Sequence, residues 1–218
     1  MIDIFANNYD VLLSGAVVTV WLSVIAILAG STLGLTLAFG LRSKSLALRA
    51  ICGFYRSFWR GTPILVQLLI AFYLLPQIGI EVSPFVAALI ALSLNTAAFQ
   101  AEIYRAGLAE IPHGQVEAAR MLGIRELTIR FRIQIPQMFR LVMPPLVNET
   151  IIIIKNSSLV SVIAVTELTR RSQQIASTTF KPLEVYLIAG IIYVIINLSL
   201  AYLGRRIERR LAVSGALS

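Results

Sequence analysis

The sequence predicts an all-α, polytopic membrane protein with five spanning helices, and three observations carry that reading. Of its 218 residues, 57% are hydrophobic and only 14% charged, a balance too apolar for a domain whose whole exterior meets water. The chain also holds several uncharged runs, and a helix of roughly 20 apolar residues crosses a hydrocarbon core about 30 Å thick. Finally, most Lys and Arg sit beside those runs rather than on one basic face. The formal net charge of +8 therefore reads as membrane topology and not as nucleic-acid binding.

The elements follow in order. Asp3 and Asp10 stand where a cleaved leader would be basic, so the first apolar run is expected to remain in the protein. That run, 11–41, is uncharged and forms span one. It carries Gly30 and Gly34 at GxxxG spacing, with Ser14, Ser23 and Ser31, small residues that let another helix approach closely. Spans two and three, 61–80 and 82–101, form a hairpin whose turn is marked by Glu81, Ser83 and Pro84. Span four, 137–166, is apolar apart from Arg140, Glu149 and Lys155; span five, 185–204, ends at Arg205, Arg206, Arg209 and Arg210. No shift of composition marks a linker, so residues 1–218 read as one transmembrane domain.

Basic residues are retained on the cytoplasmic side, and their distribution is one-sided. Arg42, Lys44, Arg49, Arg56 and Arg60 follow span one, Arg105 to Arg140 flank the segment after span three, and four arginines follow span five. Only Arg170, Arg171 and Lys181 fall opposite, with Lys155 within span four. The amino terminus is thus expected outside and the carboxyl terminus in the cytoplasm.

The long polar segment, 110–136, reads as two short helices. Pro112 suits a first turn, Gly123 can take the left-handed conformation that stops a helix, and the second helix is expected to end at Pro136. Val116, Ala119 and Leu122 would share an apolar stripe opposed by Gln115 and Glu117. Periodicity alone leaves a solvated amphipathic loop as an equal reading.

The residues themselves narrow the choice. EAARMLGIRELTIRFRIQIP resembles the EAA loop of ABC importer permeases, E-A-A-x3-G-x9-I-x-L-P, with Glu117, Ala118, Ala119, Gly123, Ile133 and Pro136 in place and Ile135 where Leu is usual. RGTPILVQLLIAFYLLP, NTAAFQAEIYRAG and PPLVNETIIIIKNSSLVSVIAVTEL are similar to blocks of the polar amino acid branch of that family, although Leu74 stands where Gly is common. The resemblance covers nearly the whole chain. It implies the ABC type I importer permease fold in a bacterial inner membrane. It also implies a coupling helix in 110–136 that docks into an ATPase through Glu117, Ala118, Ala119 and Gly123. The implied partners are a dimer of ATPases, a second permease, identical or paralogous, and an extracytoplasmic binding protein. ATP and Mg would be bound by the ATPase, since no G-x-x-x-x-G-K-[ST] run occurs here. No cofactor is expected in this chain.

Ionisable groups at membrane depth are costly, by about 3 kcal/mol or more, so Glu149, Lys155 and Glu102 are expected to face the bundle interior. Glu149 and Asn156 share a helix face about 10 Å apart. With Asn95 they form a candidate substrate site near mid-membrane, Glu149 accepting an ammonium and the Asn amides holding polar atoms. The alternative is that Glu149 and Lys155 neutralise each other. Glu102 and Arg105, three apart, are expected to pair. Many family members have KDTSL where this chain has KNSSL, so Asn156 removes a negative charge. The resemblance then leans to glutamate, aspartate or glutamine, with cationic amino acids, cystine or opines as alternatives. Ser157 and Ser158 could loosen span four. Cys52 reads as packing and the lone His113 as surface, so neither catalytic nor metal-ligating residues are assigned. A membrane-embedded enzyme or scaffold remains a remote reading.

Overall fold

The computed structural model describes residues 1–215, and among them helices dominate and no strand occurs. Four helices are long and apolar enough to cross a membrane, and a bent pair makes a fifth passage when its two limbs count as one span. α1 (Ile2–Leu41) would be about 60 Å long if straight, twice the hydrocarbon core. Its backbone leaves helical geometry at Asn8 (φ −136°), where the side-chain amide donates to the Ile4 carbonyl at 2.9 Å.

α1 lies against α4 (Pro84–Ala109), and small residues permit it. A Cβ on Gly30 would strike the Thr96 side chain, and one on Gly34 would stand 3.0 Å from the Ala97 carbonyl oxygen. α4 answers with Ala87, Ala88, Ala91, Ala97, Ala98 and Ala101, all buried. This is the close backbone approach that small residues allow between membrane helices.

The second passage differs from its expected bounds. α2 (Leu46–Gly61) and α3 (Ile64–Gln77) meet at 106°, and α3 alone rises only about 21 Å. The elbow sits where it must. Thr62, just before Pro63, is driven out of the helical region to φ −113°, ψ 144°. α4 then starts on the Ser83 hydroxyl, which accepts the Val86 N–H at 3.3 Å, with Pro84 in the first turn.

Within 110–136, α5 (His113–Met121) stops at Gly123, whose φ is +72°. The second helix does not end at Pro136. α6 (Glu126–Ile129) passes through a π-type turn, Arg130–Gln134, into α7 (Ile135–Asn156), and Pro136 falls in the first turn of α7, where its missing N–H needs no partner. α7 tightens into a 3₁₀ segment, Ser157–Ile163, where Ser157 and Ser158 donate to the carbonyls of Ile154 and Lys155 at 2.7 Å. The α-helix of span four thus changes at the serine pair.

α8 (Leu168–Thr179) lies in what reads from sequence as an outer loop. Its cap is Glu167, fully buried, whose carboxylate accepts the N–H groups of Thr169 and Arg170 at 2.8 Å and the Tyr193 hydroxyl at 2.9 Å. Thr19 of α1 accepts the Leu168 N–H at 3.2 Å. One carboxylate thereby joins α8 to α9 (Pro182–Gly215) beside α1.

Replacing Gly30 with Val should drive α1 from α4 and lower the thermal midpoint of the detergent-solubilised protein, by an overpacking penalty of about 1–3 kcal/mol. Gly190→Ala, whose Cβ meets nothing of this chain within 4 Å, should leave that midpoint unchanged or raise it.

Candidate functional site

Asn95, Glu149 and Asn156 line one cavity of about 200 Å³. The elbow contributes Thr62 and Ile64, α4 contributes Asn95 and Phe99, and α7 contributes Glu149, Ile152 and Asn156. Asn95 lies about 16 Å along α4 from its start, near the middle of the passage.

Each polar group has a distinct status. Glu149 is 5% exposed and accepts one hydrogen bond, from the Thr96 hydroxyl at 3.3 Å. Lys155 is exposed and forms no ion pair with it, so the expected interior position of Lys155 is corrected. Six residues turn the two side chains to different faces of α7. Glu102 pairs with Arg105, and Arg56 of α2 joins them at 3.3 Å. The Arg60 guanidinium lies 5.3 Å over the ring of Phe99, which lines the cavity.

Asn95 does more than face the cavity. Its amide N–H groups donate to Gln67 Oε1 at 2.8 Å and to the Trp59 carbonyl at 3.3 Å, which leaves only its own oxygen for a ligand. Gln67 in turn donates to the Trp59 carbonyl at 2.8 Å, the Thr62 carbonyl at 3.0 Å and the Thr62 hydroxyl at 2.7 Å. At the elbow the helical ladder stops, and this buried pair supplies donors to the Trp59 and Thr62 carbonyls while the Thr62 hydroxyl donates to the Phe58 carbonyl. Of the expected site residue Asn95, the oxygen faces the cavity while its N–H groups hold the elbow.

A second network escaped the sequence reading. Gln100 donates to Thr96 at 3.3 Å, and its carbonyl oxygen accepts Ser31 at 2.6 Å and Tyr104 at 3.0 Å. The chain of bonds runs from Glu149 along α4 to Tyr104, which is fully buried among Val116 and Ala119 of α5 and Met138 of α7. The i, i+4 spacing of Thr96, Gln100 and Tyr104 was the available signal.

Of the loop residues, Glu117, Ala118 and Gly123 are exposed, whereas Ala119 is 4% exposed and packs inward. Ala119 therefore helps seat α5 on the bundle. Leu122 leaves the expected stripe: it is 79% exposed beside Met121 at 90%, because Gly123 turns the chain there. Arg120 pairs with Glu126 across that turn and holds its carboxyl below the usual carboxylate range. Gln137 of α7 donates to Gln115 of α5 at 2.8 Å. Among the described residues no group of His, Cys, Asp or Glu is arranged to hold a metal ion.

Residues 26–213 match the family model described as binding-protein-dependent transport system inner membrane component. The L-cystine transport system permease protein TcyB of Bacillus subtilis (strain 168) is 40% identical over 96% of this chain and 90% of its own length. The arginine transport system permease protein ArtQ of the same organism is 38% identical over 92% of both chains. The glutamine transport system permease protein GlnP of Escherichia coli (strain K12) is 37% identical over 93% of both. A crystal structure of an amino acid ABC transporter with histidines superposes with a TM-score of 0.85 at 35% identity, over 94% of this chain and 96% of that one.

Gln67→Leu should strip the Thr62 carbonyl of its donor and leave Asn95 and the Trp59 carbonyl only each other. The expected destabilisation is about 1–3 kcal/mol, read as a lower thermal midpoint, and Asn95→Ala should lower that midpoint in the same direction.

Proposed function

The chain belongs to the family of binding-protein-dependent transport system inner membrane components, and from that premise we propose how it selects and moves its substrate. It is a permease subunit of an amino acid ABC importer in the inner membrane, a translocation subunit and not a catalyst. ATP is hydrolysed on a separate chain.

The substrate is a polar amino acid of the acidic or amide kind, glutamate, aspartate or glutamine. The observation that carries this is the single cavity lined by Asn95, Glu149 and Asn156. At about 200 Å³ it is smaller than the roughly 300 Å³ at which drug-sized pockets begin, and it suits one small molecule. Glu149 and the Asn95 oxygen are acceptors for the substrate ammonium. The Asn156 amide, which has no side-chain hydrogen bond among the described residues, can donate to a carboxylate or carboxamide and accept from an amide. A second carboxylate in place of Asn156 would favour cations, and Arg60 nearby disfavours them further. The named substrates of the relatives span arginine, cystine and glutamine, so this local chemistry carries the choice.

Coupling runs through α5. Exposed Glu117, Ala118, Met121 and Leu122 form the docking face for an ATPase, and Gly123 takes the left-handed conformation that sets the elbow, while buried Val116 and Ala119 pass its displacement to the core around Tyr104. The distribution of basic residues supports a cytoplasmic position for this loop and the carboxyl terminus, with the amino terminus outside. A pair of ATPases, a second permease and an external binding protein complete the importer, and alternating access moves the substrate past the cavity.

In proteoliposomes holding the complete transporter, unlabelled glutamate, aspartate or glutamine should compete best for uptake. Preferential competition by arginine and lysine, with none by these three, would overturn the assignment. Glu149→Gln should raise KM about tenfold or more, the loss of one charge-assisted hydrogen bond. Glu117→Arg should lower ATP-driven uptake without changing binding of substrate to the external protein, and unaltered uptake would remove α5 from the coupling path.

A further inference from the structure

Two cavities meet where α1 ends beside the 110–136 loop. The larger, about 640 Å³, sets four bases, Arg42, Lys44, Arg120 and Arg130, against one acid, Glu126. Arg120 is committed to Glu126. Arg42 and Lys44 enter no ion pair and no side-chain hydrogen bond among the described residues, and the Arg130 guanidinium lies 5.0 Å over the Phe39 ring. Glu126 also faces Lys44 and Arg130, but one acid against four bases leaves the cavity with an excess of positive charge.

The second cavity, about 320 Å³, opens between α1 and α2 and shares Phe39, Ser43 and Arg130 with the first. Its other walls come from Leu37, Leu48 and Cys52, and the Thr36 hydroxyl there is turned onto the Leu33 carbonyl at 2.7 Å. The pair is thus one cleft, basic at the membrane edge and apolar one to two turns deeper along α1. α2 continues the same pattern. Leu46, Ile51, Phe54 and Phe58 are exposed, with Arg49 and Arg56 on the same helix.

We propose that this cleft binds an anionic phospholipid, with its phosphate held by Arg42, Lys44 and Arg130 and one acyl chain laid between α1 and α2. Basic pockets between membrane helices take lipid headgroups by this combination of charge and adjoining apolar surface. A free phosphate would use the polar half alone and leave the apolar half without purpose. An acidic face of a partner protein would meet the exposed tip at Met121 and Leu122 rather than a cleft running into the membrane. Because Arg130 belongs to the turn between α6 and α7, the bound lipid would tie the loop to the α1–α2 corner.

The test is native mass spectrometry of the intact transporter, permease with its ATPase, exchanged into micelles containing phosphatidylglycerol and phosphatidylcholine in equal amounts. Phosphatidylglycerol should be retained preferentially. Each basic residue near an anionic headgroup is worth about fivefold, so Lys44→Gln should lower that preference about fivefold and Arg42→Gln similarly, while Lys44→Arg preserves it. Leu48→Gln should also weaken retention, by removing the acyl seat. Retention that is equal for both lipids in the native protein would overturn the proposal. So would full displacement of phosphatidylglycerol by excess inorganic phosphate together with indifference to Leu48→Gln, the signature of a soluble-anion site. Loss of the ATPase from the Arg42 and Lys44 variants, with lipid preference unchanged, would assign the cleft to the partner chain and equally overturn it.

Discussion

The structure depends on one constraint: at membrane depth water is absent, so every polar group must find its partner inside the bundle or wait for a ligand. The broken helices of this protein make the constraint severe. At the α2–α3 elbow, Thr62 and Pro63 interrupt the ladder, and Gln67 and Asn95 supply the missing donors. At the start of α8, Glu167 does the same for the N–H groups of Thr169 and Arg170. Each repair uses a side chain from elsewhere in the bundle or from the cap itself, and so fixes the relative positions of helices that apolar contact alone would leave free to slide.

The groups left over define the site. Thr96, Gln100, Ser31 and Tyr104 satisfy one another, and Glu149 receives only the Thr96 hydroxyl. A carboxylate has room for several donors, so most of the capacity of Glu149 is open toward the cavity. The close α1–α4 contact is a condition for this arrangement. Ser31 reaches Gln100 because Gly30 and Gly34, on either side of it in α1, bring the two backbones together. A packing motif and a polar network are here the same interface.

Much of this was legible in the sequence, and the misses share a cause. Uncharged runs located α1, α4 and α9, because lipid exposure imposes apolar composition directly. The positions of Asn95, Glu149 and Asn156 on helix faces brought them toward a common cavity, because periodicity fixes direction even when depth is known only roughly. What failed was punctuation. Pro136 reads as a stop, yet a proline in a first turn is compatible with a helix that starts there, and a π-type turn joined it to α6. The Thr62–Pro63 break was hidden inside an apolar run, where hydropathy does not register a bend. α2 and α8 were missed as helices because both are amphipathic and short, without the signal that a spanning helix carries. Gln67 and Gln100 were missed because a glutamine in a span says only that some partner exists, and the partner lies on another helix.

The separation of surfaces around 110–136 follows from the same physics. α5 has two faces of unequal fate: Val116 and Ala119 are buried against Tyr104 and Met138, while Met121 and Leu122 stand exposed past the turn at Gly123. A short helix held by so few apolar contacts would move independently of the bundle if nothing else bound it. Gln137 holds its beginning and the Arg120–Glu126 pair spans its end, so α5 is tied to the core it sits on at both ends. That core contains Tyr104, the last member of the polar chain that begins at Glu149. α4 and α7 thus carry both the surface on which α5 packs and two walls of the cavity.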